Sequence, residues 1–302
     1  MKTGLVLEGG GMRGLFSAGV MDVMMETGIR FDGIIGVSAG AAFGVNYKSG
    51  QVGRALRYNV DYCQDKRYCG IGSLLKTGNL FNTEFCYDEV PLKLDVFDFD
   101  AFERDPTAFY ITCTDVESGK PVYHEYRGRA DHGFDWIRAS ASLPVVSQMV
   151  EIDGLKLLDG GIADSIPVAY FERIGYTQNV VILTQPLDYV KKKNKLMPVM
   201  KLVYRQYPNL LGTMAKRHEV YNQATAYVRE QEALGNVFVI RPEAPLDIHR
   251  VEHDKERIQA VYDLGRATAE EQLDALRAFL QDDTTQPAGA DPTAAKSAES
   301  AD

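Results

Sequence analysis

Apolar residues recur along this chain in short runs separated by longer stretches of helical period, and the alternation predicts the elements. Leu5 to Leu7 and Ile34 to Val37 are brief β-prone runs, each followed by a turn of small residues and then a helix-like stretch. The first such helix spans about Leu15 to Glu26, with Leu15, Ala18, Val20, Val23 and Met24 apolar and Gly28 as its terminator. The second, Ala39 to Tyr47, is small and apolar enough to pack tightly on a sheet. Residues 54 to 105 mix Tyr, Asp and Phe and predict only short helices. Ala108 to Thr114 is a β-rich run that pairs with Val122 to Tyr126 through a turn around Gly119, and Phe134 to Ser142 reads as a helix stopped by Pro144. Val150 to Ile152 and Leu155 to Leu158 flank Asp153-Gly154, a dipeptide suited to a tight type I′ hairpin. Strands at Val180 to Leu183 and Val237 to Ile240 follow, and a helical pattern from about Glu252 to Leu280 closes the chain's periodic part. Strands alternating with helices imply a largely parallel sheet covered on both faces.

Two of the turns carry candidate chemistry. Gly36-Val37-Ser38-Ala39-Gly40 joins the second strand to its helix, and glycines flanking a serine permit the strained turn of a nucleophile elbow. The same residues also suit a plain strand-to-helix connection with Ser38 as N-cap. Gly9-Gly10-Gly11-Met12-Arg13-Gly14 follows the first strand and would offer backbone NH groups at a helix N-terminus, the arrangement that stabilises an oxyanion. Gly9, Gly11 and Gly14 also spell GxGxxG, but a dinucleotide site wants an acidic residue at the end of the next strand. Asp32 precedes that strand, which ends at Ser38, so a nicotinamide-dependent oxidoreductase fits poorly. A serine that attacks an acyl carbon needs both an elbow and oxyanion donors. Their presence on consecutive units points to acyl transfer or ester hydrolysis.

Composition narrows the picture. A net charge of −9 over 302 residues argues against a general nucleic-acid binder. The exception is local: Lys191, Lys192, Lys193, Lys195, Lys201, Arg205, Lys216 and Arg217 fall in a stretch without Asp or Glu, interleaved with Leu196, Met197, Val199, Met200, Leu202, Val203 and Tyr204. Residues 191 to 217 read either as a mobile segment that meets anionic membrane surfaces or lipid phosphates, or as a solvated surface balancing acidic neighbours. Neither a secretory signal nor a membrane span is visible, so the expected location is cytoplasmic, peripheral to membrane if the basic segment docks. Cys63, Cys69, Cys86 and Cys113 lack CxxC spacing, and no His/Cys/Asp cluster has metal-ligand spacing. Neither a metal nor an organic cofactor is expected. Residues 281 to 302 are too poor in large apolar side chains to offset ordering entropy and are expected to form a disordered tail after a domain of residues 1 to 280.

Four blocks together resemble the patatin-like phospholipases, and their bacterial members most. Gly9 to Gly14 matches that family's GGGxRG block, and Gly36 to Gly40 matches its serine elbow. Ala139-Ser140-Ala141-Ser142-Leu143-Pro144 resembles its AS-x-S-x-P block, and Asp159-Gly160-Gly161 its DG[GA] block. The order is the family's, the motif-bearing part spans about residues 3 to 170, and one departure is Ser165, where many members have Asn two residues before Pro167. The resemblance implies a three-layer α/β/α fold and hydrolysis of fatty-acyl esters of lipids, of phospholipase A or lysophospholipase type, through an acyl-enzyme. It implies Ser38 as nucleophile and Asp159 as general base, with no catalytic histidine. The oxyanion would be held around Gly10, Gly11 and Met12 with Arg13 adding positive charge, and Gly9, Gly14, Gly36, Gly40, Gly160 and Gly161 are the motif glycines. Arg13 could equally be an outward surface cation. His218, His249 and His253 follow Asp159 in the order of an α/β-hydrolase triad, but that fold places several strands before its elbow and here only one precedes Ser38. A reading of another class is a non-catalytic lipid-binding or scaffold protein that keeps the fold; the intact Ser38 and Asp159 favour the enzyme.

Overall fold

A computed structural model describes residues 1–281; all but the first residue of the expected tail lies outside the described residues. Eight strands form one sheet: β1 (Lys2–Leu7), β2 (Gly33–Val37), β3 (Ala108–Asp115), β4 (Pro121–Glu125), β5 (Val150–Ile152), β6 (Leu155–Asp159), β7 (Tyr176–Ile182) and β8 (Val237–Ile240). Their order is β5-β6-β3-β2-β1-β7-β8, with β4 paired to β3. β1, β2, β3, β7 and β8 run parallel, while β4 and β6 are antiparallel to β3. The Asp153-Gly154 turn sits at φ 51° and 80°, as a type I′ hairpin requires, and so makes β6 antiparallel to β5.

The helices are α1 (Gly14–Glu26), α2 (Ala39–Lys48), α3 (Arg54–Tyr62), α4 (Ile71–Thr77), α5 (Phe99–Arg104), α6 (Asp135–Ser140), α7 (Val168–Arg173), α8 (Met197–Val203), α9 (Pro208–Ala233), α10 (Lys255–Glu271) and α11 (Leu273–Gln281), with a π-helical stretch at Phe85–Leu94. Strand periodicity sorts the core into two layers. Leu5, Leu7, Ile34, Val180 and Ile182 pack with Phe16 of α1, Phe43 of α2 and Val261 of α10, whereas Val6, Ile35 and Val181 pack with Phe171 of α7 and Tyr221 and Val228 of α9. The sheet is therefore covered on both faces, the three-layer arrangement expected.

One expectation fails. The single helix from Glu252 to Leu280 is two, because Asp254 caps a start at Lys255 and the chain turns at Gln272. α10 lies against α1 so closely that a Cβ on Gly265 would stand 2.0 Å from the Phe16 carbonyl oxygen, while α11 swings to the far strands, where Gln178 donates to the Phe279 carbonyl. The basic segment contains α8 and enters the long helix α9, an element the apolar pattern does not predict.

Candidate active site

Strand register brings the two motif side chains together. Val37 pairs with Thr112 of β3, and Cys113 pairs with Asp159 of β6, so Ser38 and Asp159 stand at one height on either side of β3. Neighbouring strands lie roughly 4.8 Å apart, so two spacings separate β2 from β6, and the Ser38 and Asp159 side chains close that gap from opposite sides of β3. The Ser38 side chain stands against the Asp159 carboxylate, where its hydroxyl favours the charged form.

Ser38 has φ 55° and ψ −120°, a conformation that costs a non-glycine residue roughly 1–3 kcal/mol and persists only when its surroundings impose it. They do. A Cβ on Gly40 would lie 2.5 Å from the Leu7 carbonyl oxygen, and one on Gly36 would lie 2.6 Å from the Ala41 nitrogen, so only glycine lets α2 seat against β1 and β2 at backbone distance. The Ser38 amide donates to Ser140 Oγ (2.8 Å), whose hydroxyl donates to the Thr112 carbonyl (2.7 Å). The same block anchors the aspartate, whose amide donates to the Ser142 carbonyl at 2.8 Å. Asp159 is further fixed by Thr114 Oγ1 donating to its carbonyl (2.8 Å) and the Gly161 amide donating to Oδ1 (2.7 Å).

Burial pushes the Asp159 carboxyl above its ordinary range by penalising the charged form. The Arg217 charge foremost, then the hydrogen bonds from Ser38 and Gly161, pull it back toward ionisation. Arg217 also donates through Nε to the Gly161 carbonyl, to which Ser165 Oγ donates at 2.9 Å. Ser165 thus ties the loop after Asp159 to itself.

The glycine block forms a 3₁₀ turn at Gly11–Arg13 leading into α1. The Met12 amide donates to the Arg250 carbonyl at 3.2 Å, while those of Gly10 and Gly11 have no acceptor among the described residues. Arg13 is not an outward cation: it lines the pocket, and its Nε is buried without a partner.

The pocket that holds Ser38 and Asp159 has two contrasting walls. Phe43, Tyr58, Tyr87, Val90, Ile137 and Leu143 make the apolar one, and Arg13, Lys191, Arg217 and Arg250 the basic one. No histidine lines it. His249 is exposed, His253 Nδ1 bonds the Cys63 carbonyl, and His218 lies beside Glu219. Among the described residues, no group of three or more His, Cys, Asp or Glu could hold a metal. Sequence reasoning quoted Ser140 only as part of a block and missed Arg250 altogether. Ser140 was findable from its motif; nothing near Arg250 marks it.

The patatin-like phospholipase profile matches residues 5–172, and the chain belongs to this family. A second profile, a domain of unknown function, matches residues 207–281. An uncharacterized Escherichia coli protein, YjjU, is 27% identical over 274 residues, covering 88% of this chain and 75% of that one. An uncharacterized NTE family protein of Mycobacterium tuberculosis is 30% identical over 168 residues, 56% of this chain and 45% of that protein. A lysophospholipase of Aspergillus terreus is 29% identical over 190 residues, 58% of this chain but 11% of that protein.

Proposed function

We propose that the protein is a serine acyl hydrolase that cleaves fatty-acyl esters of lipids through Ser38 and Asp159. The observation that carries this reading is a serine held at positive φ beside a buried carboxylate that its hydroxyl helps to keep charged, in a pocket without histidine. Asp159 takes the hydroxyl proton as Ser38 Oγ attacks the acyl carbon, and the carbonyl π electrons move to oxygen. The oxyanion is met by the Gly10 and Gly11 amides with Arg13 behind them; loss of one such donor costs about 3 kcal/mol in the barrier. Collapse expels the alcohol, which leaves with the proton from Asp159. Water then attacks the acyl-serine, giving its proton to the same carboxylate, and the second collapse returns that proton to Ser38 Oγ and frees the fatty acid. The apolar wall suits the acyl chain. The rival role of a non-catalytic scaffold is separated by a fluorophosphonate probe: labelling of the wild type and not of Ser38→Ala supports the hydrolase, and no labelling of either sinks it.

Charge neutralisation at Arg217 gives a signed prediction. The base must be ionised, so kcat/KM rises with pH along an acid limb set by Asp159. Arg217→Gln removes the charge that favours the carboxylate and is expected to move that limb to higher pH. A pH profile on an uncharged aryl ester measures it, and an unmoved limb would deny Arg217 the role.

Part of the basic segment lies at the surface. Lys192, Lys193, Lys195 and Lys201 are exposed beside the exposed Leu196, Val199, Leu202 and Val203, while Met200 and Tyr204 are buried. No described helix is long and apolar enough to cross a membrane. Each cation near an anionic surface contributes about 1 kcal/mol, so weak, salt-sensitive sedimentation with anionic vesicles is expected. Changing Lys192, Lys193 and Lys195 together to Gln should abolish it; equal binding to zwitterionic vesicles would reject the contact.

A further inference from the structure

Arg13, Lys191, Arg217 and Arg250 all face the Ser38 pocket, and among the described residues none of them forms an ion pair. This contrasts with Arg54, Arg57, Arg67, Arg241 and Arg266, each matched to a carboxylate. The four are close enough to repel one another: Lys191 feels Arg217, Arg250 and Arg13, and burial with these charges pushes its ammonium down to about 7. Two carboxylates share the pocket, and both are engaged. Asp159 holds Ser38, and Glu8 accepts from the Thr184 amide (2.6 Å), Thr184 Oγ1 (3.1 Å) and Tyr221 OH (2.7 Å). Lys191 Nζ lies 3.7 Å over the Tyr221 ring, which fixes it facing the same space.

Arg13, Lys191 and Arg217 are desolvated in this wall, with Glu8 and Asp159 offsetting only part of their charge, and the exposed Arg250 adds a fourth cation at its rim; such a gathering carries a cost. An anion in the pocket would relieve that cost. Arg217 places the wall beside the reacting centre, since its terminal nitrogen would lie 3.3 Å from a Cβ built on Gly161. A group bound at Arg217 would therefore lie close to the ester.

We infer that Arg13, Lys191, Arg217 and Arg250 form a headgroup subsite for a phosphate monoester carried by a single-chain acyl glycerol. A dianionic phosphate matches the surplus of positive charge, and guanidinium forks suit its oxygens. A phosphocholine headgroup would bring another cation into the wall. Arg217 and Arg250 come from the stretch matched by the domain of unknown function, which gains a role: it closes the catalytic pocket on the headgroup side. This rests on the hydrolase reading only in naming the ligand an acyl ester.

Binding without turnover tests it. The probes are an octyl ether of glycerol phosphate, the matching phosphocholine and phosphate-free glycerol ethers, and inorganic phosphate, each titrated calorimetrically into the full chain. The glycerol phosphate ether is expected to bind about tenfold or more tighter than every other probe. The Lys191→Gln/Arg250→Gln variant should lose that preference, and Lys191→Arg/Arg250→Lys, which keeps the charges, should retain it. The inference falls if the phosphocholine ether binds as tightly, if the Gln variant keeps the preference, or if inorganic phosphate alone matches the ether. None of the probes has an ester to cleave. Failure here therefore leaves Ser38 labelling untouched, and the expected binding with no Ser38 labelling would overturn the hydrolase alone.

Discussion

Ser38→Ala and Asp159→Asn are each expected to lower turnover of a fatty-acyl ester by at least about a thousandfold, while His218→Ala, His249→Ala and His253→Ala keep most of it. The asparagine retains the volume of Asp159 and an acceptor for the Gly161 amide, but it cannot take the serine proton; the loss would be chemical, not structural. The histidines differ by placement. His253 is occupied by the Cys63 carbonyl, His218 stands beside Glu219, and none reaches the pocket. Turnover and melting temperature of the five purified variants decide the matter. More than a tenfold loss in one still-folded histidine variant would replace the dyad by a triad.

The strands that frame the site are short and apolar, so the sequence places them within a residue or two, except that β1 begins at Lys2, three residues before its apolar run. Local pattern suffices for them because their residues nearest the site are buried on both faces. The same is not true of α9, whose buried residues include Met214, Tyr221 and Val228 at intervals of seven among mostly polar neighbours, a stripe too thin to register as a helix face. It hides what matters most there, since helical geometry turns Arg217 inward while Lys216 beside it stays exposed. A charge run in sequence thus divides between pocket and surface by the helix phase alone. The pairing of Ser38 with Asp159 was legible only through the family's motifs; its physical cause is the register across β3, which no local pattern encodes. Arg250 reaches the site from a loop whose path is set by packing on Gly11, where a Cβ would meet the Arg250 carbonyl oxygen at 2.6 Å.

Adding one methyl at Gly160 is expected to cost at least about a hundredfold in kcat/KM, although residue 160 has no chemistry of its own. A Cβ there would stand 2.0 Å from the Thr112 carbonyl oxygen and 2.6 Å from its carbon, so β3 and the loop after Asp159 must part. That carbonyl is also the acceptor for Ser140 Oγ, which in turn holds the Ser38 amide. One displacement therefore reaches nucleophile and base together, from opposite sides of β3. Relief of such a clash costs roughly 1–3 kcal/mol, and each kcal/mol lowers Tm by about 2–4 °C in a domain of this size, so Gly160→Ala should remain folded at assay temperature. Gly212→Ala is the matched control. It adds the same methyl to the exposed face of α9 with nothing within 4 Å, and is expected to leave turnover unchanged while raising Tm slightly through helix propensity. If Gly160→Ala turns over substrate near the wild-type rate, the Thr112 carbonyl is not the shared support of the dyad, and the alignment of Ser38 with Asp159 must rest on the Ser142 and Gly161 contacts instead.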